Sequence, residues 1–259
     1  MKIATFNING IRARLPQLLD WLRAAEPDVV ALQETKCVDH GFPSLEIEEL
    51  GYNIAIHGQK GFNGVALLSK LPLEDVSCGL PGDDEDEQAR WIEATVVGSR
   101  AVRICGLYLP NGNPAPGPKY DYKLSWMERL RHRAAALVEA EETAVIAGDY
   151  NVIPQAEDCR NPEAWLTDAL FLPQTRAAWR RIVNLGLTDA LRIYEPGPEV
   201  YTFWDYQGGA WQKNNGIRID HLLLTPQAAD LLTDARVDRH VRGWEKPSDH
   251  VPVWVELDA

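Results

Sequence analysis

The sequence is poor in cysteine, lacks any long apolar run and carries no surplus of positive charge. Only four cysteines, Cys37, Cys78, Cys105 and Cys159, occur among 259 residues, and no two form a C-x-x-C pair. Spread so thinly, they read as reduced thiols, which excludes a disulfide framework and a cysteine-built zinc site. No stretch approaches the ~20 apolar residues that a bilayer-spanning helix needs. The opening residues, Met1-Lys2-Ile3-Ala4-Thr5-Phe6, read as a strand without the apolar core of a secretory signal, so a cytoplasmic protein is expected. The formal net charge of −12 argues against a nucleic-acid partner, because phosphate is ordinarily met by a basic surface.

What is present weakens that objection. Five of the acids form one run, Asp83-Asp84-Glu85-Asp86-Glu87, which reads as a solvated loop. Beyond a Debye length of ~8 Å such a loop is largely screened from a distant site. The basic residues cluster locally: Arg12 with Arg14, Arg129-Arg131-Arg133, Arg176-Arg180-Arg181, and Arg239-Arg242-Lys246. Each cluster taken singly is most simply a solvated face, so charge does not decide the partner. Hydrophobic residues at 45% are ample for a core, and charged residues at 25% are ordinary for a globular chain.

Apolar runs of strand character alternate with helical spacing. Strands are expected over residues 2–8, 28–33, 52–57, 64–69, 91–97, 102–109, 144–149, 219–224 and 251–257. Helices are expected over 120–141 and 175–184, with a short one over 227–232. Leu15, Leu18, Leu19 and Leu22 recur at helical spacing, with Pro16 suited to a helix start. Residues 52–69 and 91–109 each read as a hairpin, which predicts an α/β protein with mixed sheets covered by helices. No internal repeat is visible. The Gly/Pro-rich segment 111–118 reads as a surface loop, and because polar candidates lie at both ends of the chain, one domain spanning 1–259 is expected.

Those polar candidates sit at strand ends. Gly148-Asp149-Tyr150-Asn151 follows an apolar run, and Ser248-Asp249-His250 precedes one; Asn7 and Glu34 close two more. Each has an ordinary structural reading: Asn7 a turn residue, Glu34 a surface strand terminus, Asp149, Asn151 and Asp249 turn or cap residues, Asp220 an ion-pair partner. Together they gather where α/β sheets assemble sites. Oxygen donors suit Mg²⁺ or Mn²⁺ better than zinc, and a histidine beside a carboxylate is a protonatable group near neutral pH. That is equipment for metal-assisted phosphodiester hydrolysis.

Seven segments, in order, carry a more specific signal. They are Ile3-Ala4-Thr5-Phe6-Asn7-Ile8-Asn9-Gly10, Leu32-Gln33-Glu34-Thr35-Lys36, Leu107-Tyr108-Leu109-Pro110-Asn111-Gly112, Gly148-Asp149-Tyr150-Asn151, Tyr201-Thr202-Phe203-Trp204-Asp205-Tyr206, Gly216-Ile217-Arg218-Ile219-Asp220-His221 and Glu245-Lys246-Pro247-Ser248-Asp249-His250. The string resembles the exonuclease III family of abasic-site endonucleases, within the wider endonuclease/exonuclease/phosphatase fold, over essentially the whole chain.

The resemblance implies a four-layer sandwich, two mixed sheets face to face with helices outside, and a site at one edge. It implies Glu34 as principal metal ligand, with Asn7 and Asp249 close to the ion and Asp149 and Asn151 beside it. It further implies that Asp149 deprotonates the attacking water, Asn151 bonds the phosphate or nucleophile, and His250, its tautomer fixed by Asp220, meets a phosphate oxygen. Tyr108 would donate to the phosphate or act as a phenolate. Phe203, Ile217 and Ile219 match the family's apolar pocket, although some relatives have Trp where this chain has Ile217. Trp204 and Tyr206 have two equal readings, stacking or wedging against the duplex and packing in the core, and Asn9, Asn111 and Lys119 would contact substrate. The implied activity is Mg²⁺- or Mn²⁺-dependent hydrolysis of duplex DNA, 5′ to abasic sites, at blocked 3′ ends and progressively from the 3′ end, by a monomer without membrane contact. A lipid phosphodiesterase of the same fold and a catalytically silent binding relative are the alternatives.

Overall fold

A computed structural model describes residues 1–259. Its twelve strands, in chain order, are β1 (Lys2–Asn7), β2 (Val29–Gln33), β3 (Asn53–His57), β4 (Val65–Ser69), β5 (Leu73–Cys78), β6 (Trp91–Val97), β7 (Ala101–Tyr108), β8 (Ala144–Asp149), β9 (Thr188–Asp189), β10 (Asp220–Leu224), β11 (Leu232–Val237) and β12 (Val253–Leu257). The α-helices are α1 (Ile11–Ala25), α2 (Ser44–Glu48), α3 (Pro118–Glu139), α4 (Pro173–Val183), α5 (Ala190–Tyr194) and α6 (Pro226–Ala229).

The strands form two six-stranded sheets, ordered β11-β12-β1-β2-β4-β3 and β5-β6-β7-β8-β10-β9. Each sheet has one parallel pair near its middle, β1 with β2 and β7 with β8, and its other neighbours are antiparallel. A parallel pair cannot be closed by a tight turn and needs a crossover. α1 supplies it in the first sheet and α3 in the second.

Side chains alternate across each strand, and this divides the core into layers. Ile3, Val29, Ala31 and Leu67 of the first sheet meet Ile92, Ile104, Val145 and Leu222 of the second. On the outer face of the first sheet, Ala4, Phe6, Val30 and Leu32 receive Leu18, Trp21 and Leu22 of α1. On the outer face of the second, Cys105, Leu107 and Ile146 receive Trp126, Leu130 and Leu137 of α3 and Trp179 of α4. The architecture is the expected four-layer α/β sandwich. No helix is long and apolar enough to cross a membrane.

Both expected hairpins form, β3 with β4 and β6 with β7. Other expectations need correction. β5, β9 and β11 lie outside the expected strands: all three are edge strands, and the exposed sequence of β5 carries no buried face to betray it. The helix expected over 227–232 stops at Ala229, and Leu232 already begins β11. α1 starts at Ile11 instead of at Pro16, which lies inside it, and Arg14 adopts φ −121° and ψ 16°, a kink. Pro16 has no amide hydrogen and crowds the preceding turn, which accounts for the kink. The acidic run 83–87 is not wholly solvated either, because Asp86 is bound by Arg129 (2.7 Å) and by the Tyr122 hydroxyl (3.0 Å).

One buried ion network anchors the strand that carries Asp220. Arg218, immediately ahead of β10, donates to Asp158 (2.6 Å) and to Asp189 (2.7 Å) and meets His221 Nδ1 (3.0 Å). Arg192 adds a second cation to Asp158. Removing one partner of such a pair leaves the other charged and desolvated. Arg218→Met is therefore expected to lower the free energy of unfolding by about 3 kcal/mol. Urea unfolding of the purified variant measures it, and an unchanged midpoint would show that the network contributes nothing net.

Candidate active site

The two parallel pairs direct four strand ends to one edge of the sandwich. Asn7 ends β1, Glu34 follows β2, Tyr108 ends β7 and Asp149 ends β8. β10 runs antiparallel to β8 with Asp220 opposite Asp149, and β12 runs antiparallel to β1, so the segment before it brings Asp249 and His250 alongside. Gly148 permits the approach: a Cβ there would run into the Leu107 carbonyl. Asn9, Glu34, Lys36 and Asn151 all have left-handed backbones, with φ between 48° and 55°. The chain turns sharply at the ends of three strands and presents side chains to a common space.

In that space Glu34, Asp149 and His250 bring one ligand atom each to within 4.8 Å of one another. The Asn7 amide nitrogen donates to Glu34 Oε1 (2.9 Å) and to Asp149 Oδ2 (2.9 Å), joining the two sheets. Its oxygen accepts the Asn9 N–H at 3.0 Å and keeps a second lone pair, so Asn7 holds the two carboxylates together through its nitrogen. Asp149 also accepts the Asn151 N–H (2.9 Å). Lys36 pairs with Glu34 Oε2 at 2.8 Å and donates to the Asn9 side chain. Asp249 stands outside the 4.8 Å cluster and accepts from Asn9 Nδ2 (2.9 Å). The donor set, carboxylates supported by amides, fits a hard divalent cation, with Glu34 and Asp149 supplying charge.

His250 lies between acids. Its Nδ1–H donates to Asp220 Oδ2 (2.9 Å), and its Nε2 is 3.7 Å from Asp149 Oδ2. The Thr202 hydroxyl donates to Asp220 at 2.6 Å, and Phe203 packs edge-on against the imidazole with centroids 4.9 Å apart. Burial alone would lower the His250 pKa, but Asp220 and then Asp149 outweigh it and raise it to about 10. Burial pushes Asp149 up, partly countered by His250 and reinforced by Asp220. Burial also opposes ionisation of Glu34, yet Asn7 and Lys36 more than offset it and lower its pKa. Tyr108 is pushed well above its ordinary value by burial and by Glu34 and Asp149, so its phenol stays protonated and acts as a donor.

The remaining expected residues separate into those near the cluster and those not. The Asn111 amide donates to Asn151 Oδ1 (3.2 Å), while Asn151 Nδ2 donates to the Leu109 carbonyl. Ile217 and Ile219 are buried with Leu170 and Phe171, and Phe203 packs at their margin. Lys119 is exposed in the first turn of α3 and makes no hydrogen bond. Of the two readings of Trp204, burial is the one the structure shows: it has no exposed surface. It lies edge-on to Trp211 and under the Arg239 guanidinium, and its Nε1 donates to Asn214, so it braces the 207–215 loop and cannot stack on a duplex. Of the basic clusters, 129–133 is spent on acids, Arg129 on Asp86, Arg131 on Glu128 and Arg133 on Glu93. Lys36 and Thr202 escaped the sequence reading, although both lie within the quoted segments, two residues after Glu34 and one before Phe203.

The chain matches the model of the Endonuclease/Exonuclease/phosphatase family over residues 4–250. It is 36% identical over 266 residues to Exodeoxyribonuclease III of Haemophilus influenzae, covering 99% of this chain and 100% of that one. The chain belongs to the exonuclease III/AP endonuclease family. Among solved structures of the family, an AP endonuclease from Archaeoglobus fulgidus superposes with a TM-score of 0.94 at 39% identity, covering 100% of each chain. The 3′–5′ exonuclease NExo from Neisseria meningitidis does so with a TM-score of 0.95 at 39% identity, again covering 100% of each. NExo has also been solved as a 3′ phosphatase bound to a product DNA hairpin, with a TM-score of 0.95 at 38% identity and 100% coverage of each chain.

The His250 shift has a definite sign. With the folded pKa raised above the ordinary value of ~6.5, the stability it contributes is fully present below about pH 6.5 and is lost as pH rises through the folded value. In metal-free protein the His250 ring is therefore expected to lose its proton near pH 10, as followed by NMR. Asp220→Asn should move that transition down toward neutrality; a wild-type ring that titrates near pH 6.5 would contradict the assignment.

Proposed function

We propose that this chain is a divalent-metal-dependent DNA repair nuclease, one catalytic unit over residues 1–259, that cuts duplex phosphodiesters 5′ to abasic sites and trims blocked 3′ ends. The observation that carries this is the Glu34–Asp149–His250 cluster, clasped by Asn7 across the two sheets. Similarity to proteins named Exodeoxyribonuclease III, AP endonuclease, 3′–5′ exonuclease and 3′ phosphatase supports a DNA substrate of this kind.

A phosphodiester is anionic before attack, so hydrolysis needs positive charge and donors where negative charge builds up. Mg²⁺ or Mn²⁺, held by Glu34 and Asp149 with Asp249 nearby, would supply Lewis acidity to the phosphate and to the leaving 3′ oxygen. Asp149 takes the proton of the attacking water; burial raises its basicity, while Asn7 and the Asn151 N–H fix its oxygens. Asp220 commits the His250 Nδ1 proton, which leaves Nε2–H to donate to a non-bridging phosphate oxygen. Tyr108 donates through its protonated phenol. Asn151, tied to Asn111 and Leu109, holds the loop from which Asp149 projects.

A narrower reading, 3′-end processing alone, is favoured by one feature. Ile217 and Ile219 are each only 2% exposed against Leu170 and Phe171, which leaves those two side chains little open face for a flipped sugar. The catalytically silent alternative is disfavoured because Glu34, Asp149, Asn151, Asp220, Asp249 and His250 are all present.

A labelled duplex with one internal abasic analogue tests the proposal. Incision directly 5′ of the lesion is expected with Mg²⁺ and none with EDTA, and Asp149→Asn should cost about 10²–10⁴-fold in rate, the usual worth of a general base. Shortening from the 3′ end alone would establish the narrower reading. No cleavage of either kind would overturn both.

A further inference from the structure

Lys123 is the only lysine with no exposed surface, and no carboxylate lies within ion-pair distance of it. It projects from α3, and its Nζ donates to two backbone carbonyls, Asn151 O at 2.6 Å and Asn111 O at 3.0 Å. Neither carbonyl receives any other hydrogen bond. Burying an ammonium that lacks a paired acid is costly, and a methionine would fill the same space without that cost. A role in folding alone therefore does not explain why a lysine stands here.

Its two acceptors do. One carbonyl belongs to the loop after β7, the other to the loop after β8, and both loops carry residues of the candidate site. Asn151 is left-handed (φ 48°), and that turn aims its N–H at Asp149 Oδ1 while sending its carbonyl inward to Lys123. Gly112 lets the first loop lie against the lysine stem, where a Cβ would meet Lys123 Cδ at 2.6 Å.

We infer that Lys123 is a positioning residue for the reaction: its buried amine ties the Asn111 and Asn151 backbones together and so fixes the N–H that holds Asp149. This rests on the nuclease reading above. The tie does not depend on protonation, since a neutral amine keeps two N–H donors for its two acceptors.

Lys123→Met, Lys123→Gln and Lys123→Arg, assayed beside the wild type on nicked or abasic duplex, decide it. Lys123→Met is expected to fold and to lose about 100-fold in kcat, the scale on which a ~1 Å misplacement costs rate, with KM little changed. Lys123→Arg, which keeps a multiple donor, should recover most of that loss. A kcat equal to wild type in Lys123→Met, or a change confined to KM, would overturn the inference. So would failure of both Lys123→Met and Lys123→Gln to fold, which would assign the amine to stability. A wild type that cuts no DNA would remove the nuclease reading. The crystal structure of Lys123→Met would still show whether the two loops separate, and unmoved loops would overturn the tie on their own.

Discussion

One carboxamide joins the two sheets at the point where their charges gather. Asn7 closes a strand of the first sheet, yet its two amide hydrogens are shared between Glu34 of that sheet and Asp149 of the other. Two carboxylates this close repel, and each would drive the other toward protonation. The amide, with Lys36 on Glu34 and the Asn151 N–H on Asp149, lets the acids stay together without a cation and ready for one. The His250 imidazolium, seated between Asp149 and Asp220, relieves the remaining repulsion from the far side.

The architecture exists to bring that cluster together. Each sheet contributes a parallel pair with its own crossover helix, and parallel strands end on the same side. The carboxyl ends of β1, β2, β7 and β8 therefore line up along one edge when the sheets pack face to face. The antiparallel strands β10 and β12 then deliver Asp220 and His250 from the opposite direction. Left-handed turns at Asn9, Glu34, Lys36 and Asn151 convert strand ends into converging side chains. For residues with a Cβ such backbones are uncommon, and here four of them serve one site.

Most of this is legible in the amino-acid sequence. The central strands announce themselves by apolar alternation, and the site residues by their place at strand ends in seven ordered segments. What escapes has physical reasons. β5 and β11 are edge strands with few inward side chains, so nothing in their composition separates them from loop. Trp204 looks like a stacking residue in sequence but is held inside by Trp211, Arg239 and Asn214, partners that lie further along the chain. The arginines of 129–133 suggest a basic face, yet Arg129 and Arg133 are neutralised by Asp86 and Glu93, acids that sequence does not pair with them. Lys36 and Lys123 act through hydrogen bonds to groups whose positions only the fold determines. The net charge of −12 is a weak guide to the partner, because Glu34 and Asp149, two of the acids that produce it, are placed to fit a cation.

The seat that Glu34 and Asp149 form for a divalent ion is tested most directly by Mn²⁺ binding to metal-free protein, followed by calorimetry and by the electron paramagnetic signal of free Mn²⁺. Wild-type protein is expected to bind Mn²⁺, with Mg²⁺ competing for the same site, and Glu34→Gln to weaken binding at least about tenfold, the cost of ~1.4 kcal/mol. Binding of equal strength in wild type and Glu34→Gln would place the ion elsewhere and remove Glu34 from its coordination.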